Sequence, residues 1–178
     1  MSASQSRSTR LRLWITRRCK ESPNQFEIVA RAMPDQQTTA IDTSVIVAAV
    51  LPWHRDHEAA FEALNQALAQ SEVVLPSRTL IESYSVLTRL PSPHRLSPKD
   101  AVTVLRGTFL DQSDIVSLPD DQHWAFLRHL SEEGVAGGGA YDAEIVATAL
   151  NAGASEILTL NQRDFERLAP PELRIRMP

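Results

Sequence analysis

Four acids stand out by type and position: Asp42, Glu82, Asp142 and Asp164. Asp42 lies in Ala40-Ile41-Asp42-Thr43-Ser44, Glu82 in Leu80-Ile81-Glu82-Ser83, and Asp142 in Tyr141-Asp142-Ala143. Asp164 closes the run Thr159-Leu160-Asn161-Gln162-Arg163-Asp164 before Phe165. Brought together, such acids repel one another and raise each other's pKa. A divalent cation resolves that conflict, and hard cations take carboxylate oxygens. A centre of this kind lowers the pKa of bound water and clamps a phosphate during in-line attack, so hydrolysis needs no covalent nucleophile. Each acid taken singly also has an ordinary reading. Asp42 could cap a helix, Asp142 could face a helix dipole, Glu82 could be solvated, and Asp164 could cap the turn at Phe165.

What favours the chemical reading is the set of elements that carry them. Thr38–Ile41 reads as a short strand, and Ser44–Leu51 as the helix after it. Asp56 to Gln70 is helical, with Ala60, Phe61, Leu64 and Leu68 expected on one apolar stripe. Val73–Leu75 is a second strand. Pro76-Ser77 opens a helix to about Leu90, with Leu80, Ile81, Tyr84 and Leu87 expected inward. Ser97 caps a helix with Pro98 at its first position. Ile115–Ser117 is a third strand, followed by a helix from Asp120 to about Glu133. Gly137-Gly138-Gly139 reads as a flexible hinge before a helix from Ala140 to Ala152. Glu156–Leu160 and Leu173–Met177 are the last strands, with a helical turn over Asp164–Leu168 between them. Alternating strands and helices predict an α/β, three-layer sandwich: a central, mostly parallel sheet of about five strands flanked by helices. In such sheets ligands bind outside the carboxyl ends of the strands. The four acids fall at or just beyond those ends.

The chain has 178 residues, 43% apolar and 22% charged, ordinary values for a soluble globular domain. Its longest apolar run, Val45 to Leu51, is far short of a membrane span. A single cysteine, Cys19, excludes an internal disulfide framework and a cysteine-built zinc site, and a reducing cytoplasm is the expected location. Any metal must be held by oxygen or imidazole, which suits Mg2+ or Mn2+. Residues 1–32 carry seven Lys/Arg against two acids, a net +5, so the rest must carry −9 to reach the total of −4. An acidic body does not bind a polyanion by bulk charge alone, and cations would have to offset its carboxylates. Residues 1–37 are expected to be a basic, disordered extension, with translation starting at Met33, and residues 38–178 to form the working domain. A chain lacking residues 1–32 is then expected to melt and to act like the full one. A large loss of thermal stability on truncation, read by calorimetry, would contradict this.

Other residues weigh less. His54 and His57 could pair on a metal, but a solvated helix end accounts for them. Arg78, Arg89, Arg95 and Arg163 could meet phosphates at the site edge. Trp53 and Trp124 could stack bases, with core or interface packing as the favoured alternative.

The motifs quoted above, with Ala149-Leu150-Asn151-Ala152-Gly153-Ala154, resemble the PIN-domain family, in particular the VapC-like toxins of type II toxin–antitoxin pairs. The similarity spans about residues 38–178. It rests on order and spacing rather than on any single motif. The resemblance implies a Mg2+- or Mn2+-dependent endoribonuclease with Asp42, Glu82 and Asp142 as its core acids. Some relatives carry aspartate where Asn161 stands, so the fourth acid rests on Asp164, with Asn161 offering a neutral oxygen. Thr43 or Ser44 would support Asp42 or a metal-bound water. A homodimer and an antitoxin that blocks the site are also implied.

Competing functions fare worse. A phosphotransfer receiver domain needs paired early acids and a late lysine, whereas Asp42 has no acidic neighbour and the only lysines are Lys20 and Lys99. A haloacid-dehalogenase-type phosphatase needs a second Asp two residues after the first, where Ser44 stands. The serious alternative is a catalytically inactive module that binds nucleic acid or protein.

Overall fold

The structure is a computed structural model that describes residues 37–178. Except for Gln37, the expectations for residues 1–37 lie outside the described residues. Five strands form one sheet: β1 (Thr38–Ile41), β2 (Glu72–Pro76), β3 (Asp114–Val116), β4 (Glu156–Leu158) and β5 (Arg174–Arg176). Their order is β3-β2-β1-β4-β5 and every pairing is parallel. Seven α-helices are described: α1 (Thr43–Val50), α2 (His57–Gln70), α3 (Ser77–Arg89), α4 (Pro98–Phe109), α5 (His123–Glu133), α6 (Gly138–Asn151) and α7 (Gln162–Leu168).

The strands alternate between two cores, as a period of two requires. Ile41, Val73, Leu75 and Leu158 face one core with residues of α1 to α4. Ala40, Val74 and Ile157 face the other with residues of α5 to α7. This is the three-layer sandwich expected, with a sheet that is wholly parallel. Both faces are covered, so the strands read as near-continuous apolar runs.

Local signals fix the helix ends. Ser97 Oγ accepts from the Asp100 amide at 3.1 Å and donates to Asp100 Oδ2 at 2.7 Å, with Pro98 at the first helical position. Helix α5 stops at Gly134, whose φ of 67° is left-handed and costs glycine little.

Three sequence expectations need correction. Phe61 and Ile81 are 49% and 65% exposed instead of inward. Helix α2 packs on α1 through the small stripe Ala60, Ala63, Leu64 and Ala67, which turns Phe61 to the rim. Helix α3 buries Thr79, Ser83 and Leu87, spaced four apart, so Ile81 points away. The glycine run is no hinge: only Gly137 has a positive φ, 59°, while Gly138 and Gly139 form the first turn of α6. Asp142 therefore sits one turn inside α6, beyond the end-turn position that the dipole reading needs.

Candidate active site

The strand order reverses at β1. The chain moves from β1 through β2 to β3 on one side, then returns to place β4 on the other. Such a switch point opens a crevice at the carboxyl ends of the strands. Asp42 follows β1 there, its amide bonding Leu158 O of β4 at 3.0 Å.

Asp42 is buried, and its carboxylate is held by three donors on one oxygen. Oδ2 accepts from the Ser44 amide at 3.3 Å, Ser44 Oγ at 2.5 Å and Thr159 Oγ1 at 2.8 Å. Among the described residues nothing donates to Oδ1. Asp42 does cap α1, as one reading held, yet capping occupies only half of the carboxylate. Ser44 Oγ in turn accepts from the Leu160 amide at 2.9 Å, and Thr159 Oγ1 from the Asn161 amide at 2.9 Å. Two hydroxyls thus lock the ends of β1 and β4 together around one buried acid. Thr159 was missed as a site residue by sequence reasoning. Its only signal was a hydroxyl at a strand end opposite the first acid.

The supporting pair divides its work. Ser44 holds Asp42, whereas Thr43 Oγ1 donates to Glu82 Oε2 at 3.0 Å and so ties the start of α1 to α3. Asn161 enters through its backbone amide. Asp164, in the first turn of α7, is half-exposed, with Arg167 Nη1 3.7 Å from its Oδ1.

Asp142 reports on the whole cluster. Its pKa is pushed from an ordinary 3.8 up to about 6, first by burial and then by the charges of Asp42, Asp164 and Glu82. All three other acids therefore lie near enough to oppose its ionisation. The donor set is all oxygen and carries an excess of negative charge, which fits a hard divalent cation. Among the described residues no group of three or more His, Cys, Asp or Glu side chains is placed to hold a metal ion as it stands.

Neighbouring residues take other parts. Arg78 does not stand free for phosphate: its Nε and Nη2 reach Glu144 Oε2 at 3.0 and 2.9 Å, and its guanidinium lies over the Tyr141 ring at 4.6 Å. Arg95 Nε donates to Leu90 O at 2.9 Å. Arg89 and Arg163 are exposed. His54 Nδ1 accepts from the Asp56 amide at 3.2 Å and His57 Nδ1 meets Ala48 O at 3.0 Å, so both serve a helix end. Neither Trp53 nor Trp124 is core, at 50% and 83% exposed, although Trp53 lies 4.3 Å from the His94 ring, centroid to centroid.

Thr159→Val should test the positioning role. Loss of one donor to a buried carboxylate is expected to cost about 1–2 kcal/mol of stability, measured by chemical denaturation. An unchanged midpoint would mean that Asp42 is held without it.

Comparison with known proteins gives the family. The chain is 41% identical over 127 residues to Ribonuclease VapC40 of Mycobacterium tuberculosis, covering 71% of this chain and 89% of that one. It is 35% identical over 124 residues to Ribonuclease VapC27 of the same organism, covering 70% and 85%. Its fold is similar to a chain in the crystal structure of VapBC2 from Rickettsia felis bound to a promoter DNA fragment, with TM-score 0.56, 18% identity, and coverage of 80% and 99%. It is also similar to a chain of FitAcB from Neisseria gonorrhoeae, with TM-score 0.52, 19% identity, and coverage of 77% and 95%. The sequence pattern of the PIN domain matches residues 39–170, nearly the whole described body, and the chain belongs to the PIN-domain family.

Proposed function

We propose that this protein is a metal-dependent endoribonuclease, the toxin of a type II toxin–antitoxin pair. What supports the reading is the position of Asp42 at the sheet's switch point, together with the raised pKa of Asp142, about 6, which burial first and then the charges of Asp42, Asp164 and Glu82 produce. The names of the 41% and 35% identical relatives supply the substrate class, RNA. Mg2+ or Mn2+ would be held by Asp42, through Oδ1, and by Asp142, Glu82 and Asp164. When bound, it would lower the pKa of a coordinated water and neutralise charge on the phosphate. The chain's own part is positional. Ser44 and Thr159 fix the plane of the Asp42 carboxylate, Thr43 fixes Glu82, and Asn161 orders the turn that presents Asp164. Hydrolysis would then proceed with water attacking phosphorus as the bond to the leaving oxygen breaks.

The partners follow from the same reading. The similar structures include VapBC assemblies from Rickettsia felis and Haemophilus influenzae, so a cognate antitoxin is proposed here as the regulator. A homodimer is also proposed, and the exposed Ile81, Ile115, Trp124 and Leu127 supply apolar surface for it. No helix among the described residues is long and apolar enough to cross a membrane. An inactive binding module is less favoured, because a decayed site has no reason to retain all four acids and the hydroxyls that hold two of them.

The test is RNA cleavage with and without Mg2+, followed by sequencing of RNA ends after induced expression in cells. Mg2+-dependent cleavage with discrete new ends is expected. Absence of new ends, with the protein folded and free of antitoxin, would overturn the reading.

A further inference from the structure

The opposite end of β4 carries a second charged cluster, away from the four acids. Glu156 starts β4 and is 1% exposed. Its carboxylate is gripped by two arginines of the edge strand β5. Arg174 donates to Oε2 through Nε at 2.7 Å and through Nη2, and Arg176 Nε donates to Oε1 at 2.7 Å. One buried negative charge thus faces two guanidinium groups, an excess of one positive charge. Among the described residues the pairing leaves Arg174 Nη1 and both Nη groups of Arg176 to donate elsewhere.

Arg174, Arg176 and Glu156 line a cavity of about 160 Å³. Its other polar walls are Gln37, Gln66, Gln70 and Ser71, none of them charged. The nearby acids Glu72, Asp111 and Asp114 line a neighbouring hollow instead. A small cavity with surplus planar N–H donors, amide side chains and net positive charge matches a tetrahedral oxyanion, which guanidinium binds in fork geometry.

We propose that this cavity is an oxyanion site, holding a phosphate group between Arg174 and Arg176 at the sheet end remote from the carboxylate cluster. The shared chemistry is phosphate, whether as the free ion or as a group of a nucleic-acid backbone. The reading is independent of any nuclease activity.

The test uses the full chain in chelator, so that no cation can bridge phosphate to the carboxylate cluster. Inorganic phosphate is titrated against chloride at matched ionic strength while the melting temperature is followed. At about ten times its Kd, phosphate should raise Tm by roughly 3–6 °C in a saturable way. Arg176→Gln should abolish the shift. Gln70→Glu, an exposed position that places a carboxylate in the cavity, should abolish it without needing the strand to be altered. A second arm uses a 2′-O-methyl oligoribonucleotide. A response to it that Gln70→Glu removes would identify a backbone phosphate as the source, and a response to phosphate alone would identify the free ion. No phosphate-specific shift, or an equal shift in wild type and both variants, would overturn the proposal.

Discussion

Asp42→Asn is expected to lower Mg2+-dependent RNA cleavage by roughly 10²–10³-fold, the effect of several kcal/mol of lost transition-state stabilisation at tenfold per 1.36 kcal/mol. The substitution keeps the shape of the side chain. An amide oriented with its oxygen at the Oδ2 position can still accept from Ser44 and Thr159, so the cap on α1 survives. What it loses is the charge, and the anionic Oδ1 is replaced by an NH2 that cannot ligate a cation. Fold and thermal midpoint should stay close to wild type while activity collapses. Cleavage of a labelled RNA, with folding checked by circular dichroism, reads both. Equal activity in the two proteins would count against the nuclease reading.

The second large effect is on stability. Mg2+ at about 100 times its Kd is expected to stabilise the protein by roughly 2.7 kcal/mol, a Tm rise of about 5–10 °C for a domain of this size. The effect should depend on pH through Asp142. Its folded-state pKa, about 6, stands above the ordinary 3.8, so the folded protein holds this proton more tightly than the unfolded chain does. The resulting stability is fully present below pH 3.8 and is lost as pH rises through about 6. Above that, the metal-free protein bears an ionised carboxylate among three others. Mg2+ relieves this strain, so its stabilising effect should be small at pH 5 and full at pH 7.5. In chelator, Asp142→Asn should be more stable than wild type at pH 7.5 and indistinguishable from it near pH 4, while being inactive at either. A variant less stable than wild type at pH 7.5 would show that burial and neighbouring charge do not penalise the ionised Asp142. Calorimetry across pH, with and without Mg2+, decides this.

Much of the molecule was legible because its signals are local. Strands and helices alternate with clear punctuation, as at Ser97-Pro98 and Gly134, and these fixed the layered parallel sheet. The switch point follows once β4 pairs beside β1, and no local signal encodes that pairing. Asp42 and Asp142 were visible as acids near strand or helix starts. Thr159 was not, because a threonine at a strand end is ordinary until the pairing of β1 and β4 brings its hydroxyl to Asp42. The inward faces of α2 and α3 are illegible in the sequence for a related reason. Hydrophobicity placed Phe61 and Ile81 inside, but the close approach of α2 to α1 selects alanines, and α3 buries Thr79 and Ser83 beside the site. Where helices pack tightly, side-chain size decides over apolarity. The tri-glycine run was read by composition, yet only Gly137 takes a backbone conformation that requires glycine. Glu156 drew no notice in the sequence because its two partners lie 18 and 20 residues away on another strand.

The account turns on divalent metal binding at this carboxylate cluster, and crystals grown with Mn2+ test that most directly. Anomalous scattering should reveal a peak among Asp42, Glu82, Asp142 and Asp164, lost in crystals of Asp42→Asn. A peak elsewhere on the protein, or none at a Mn2+ concentration that supports cleavage, would contradict it.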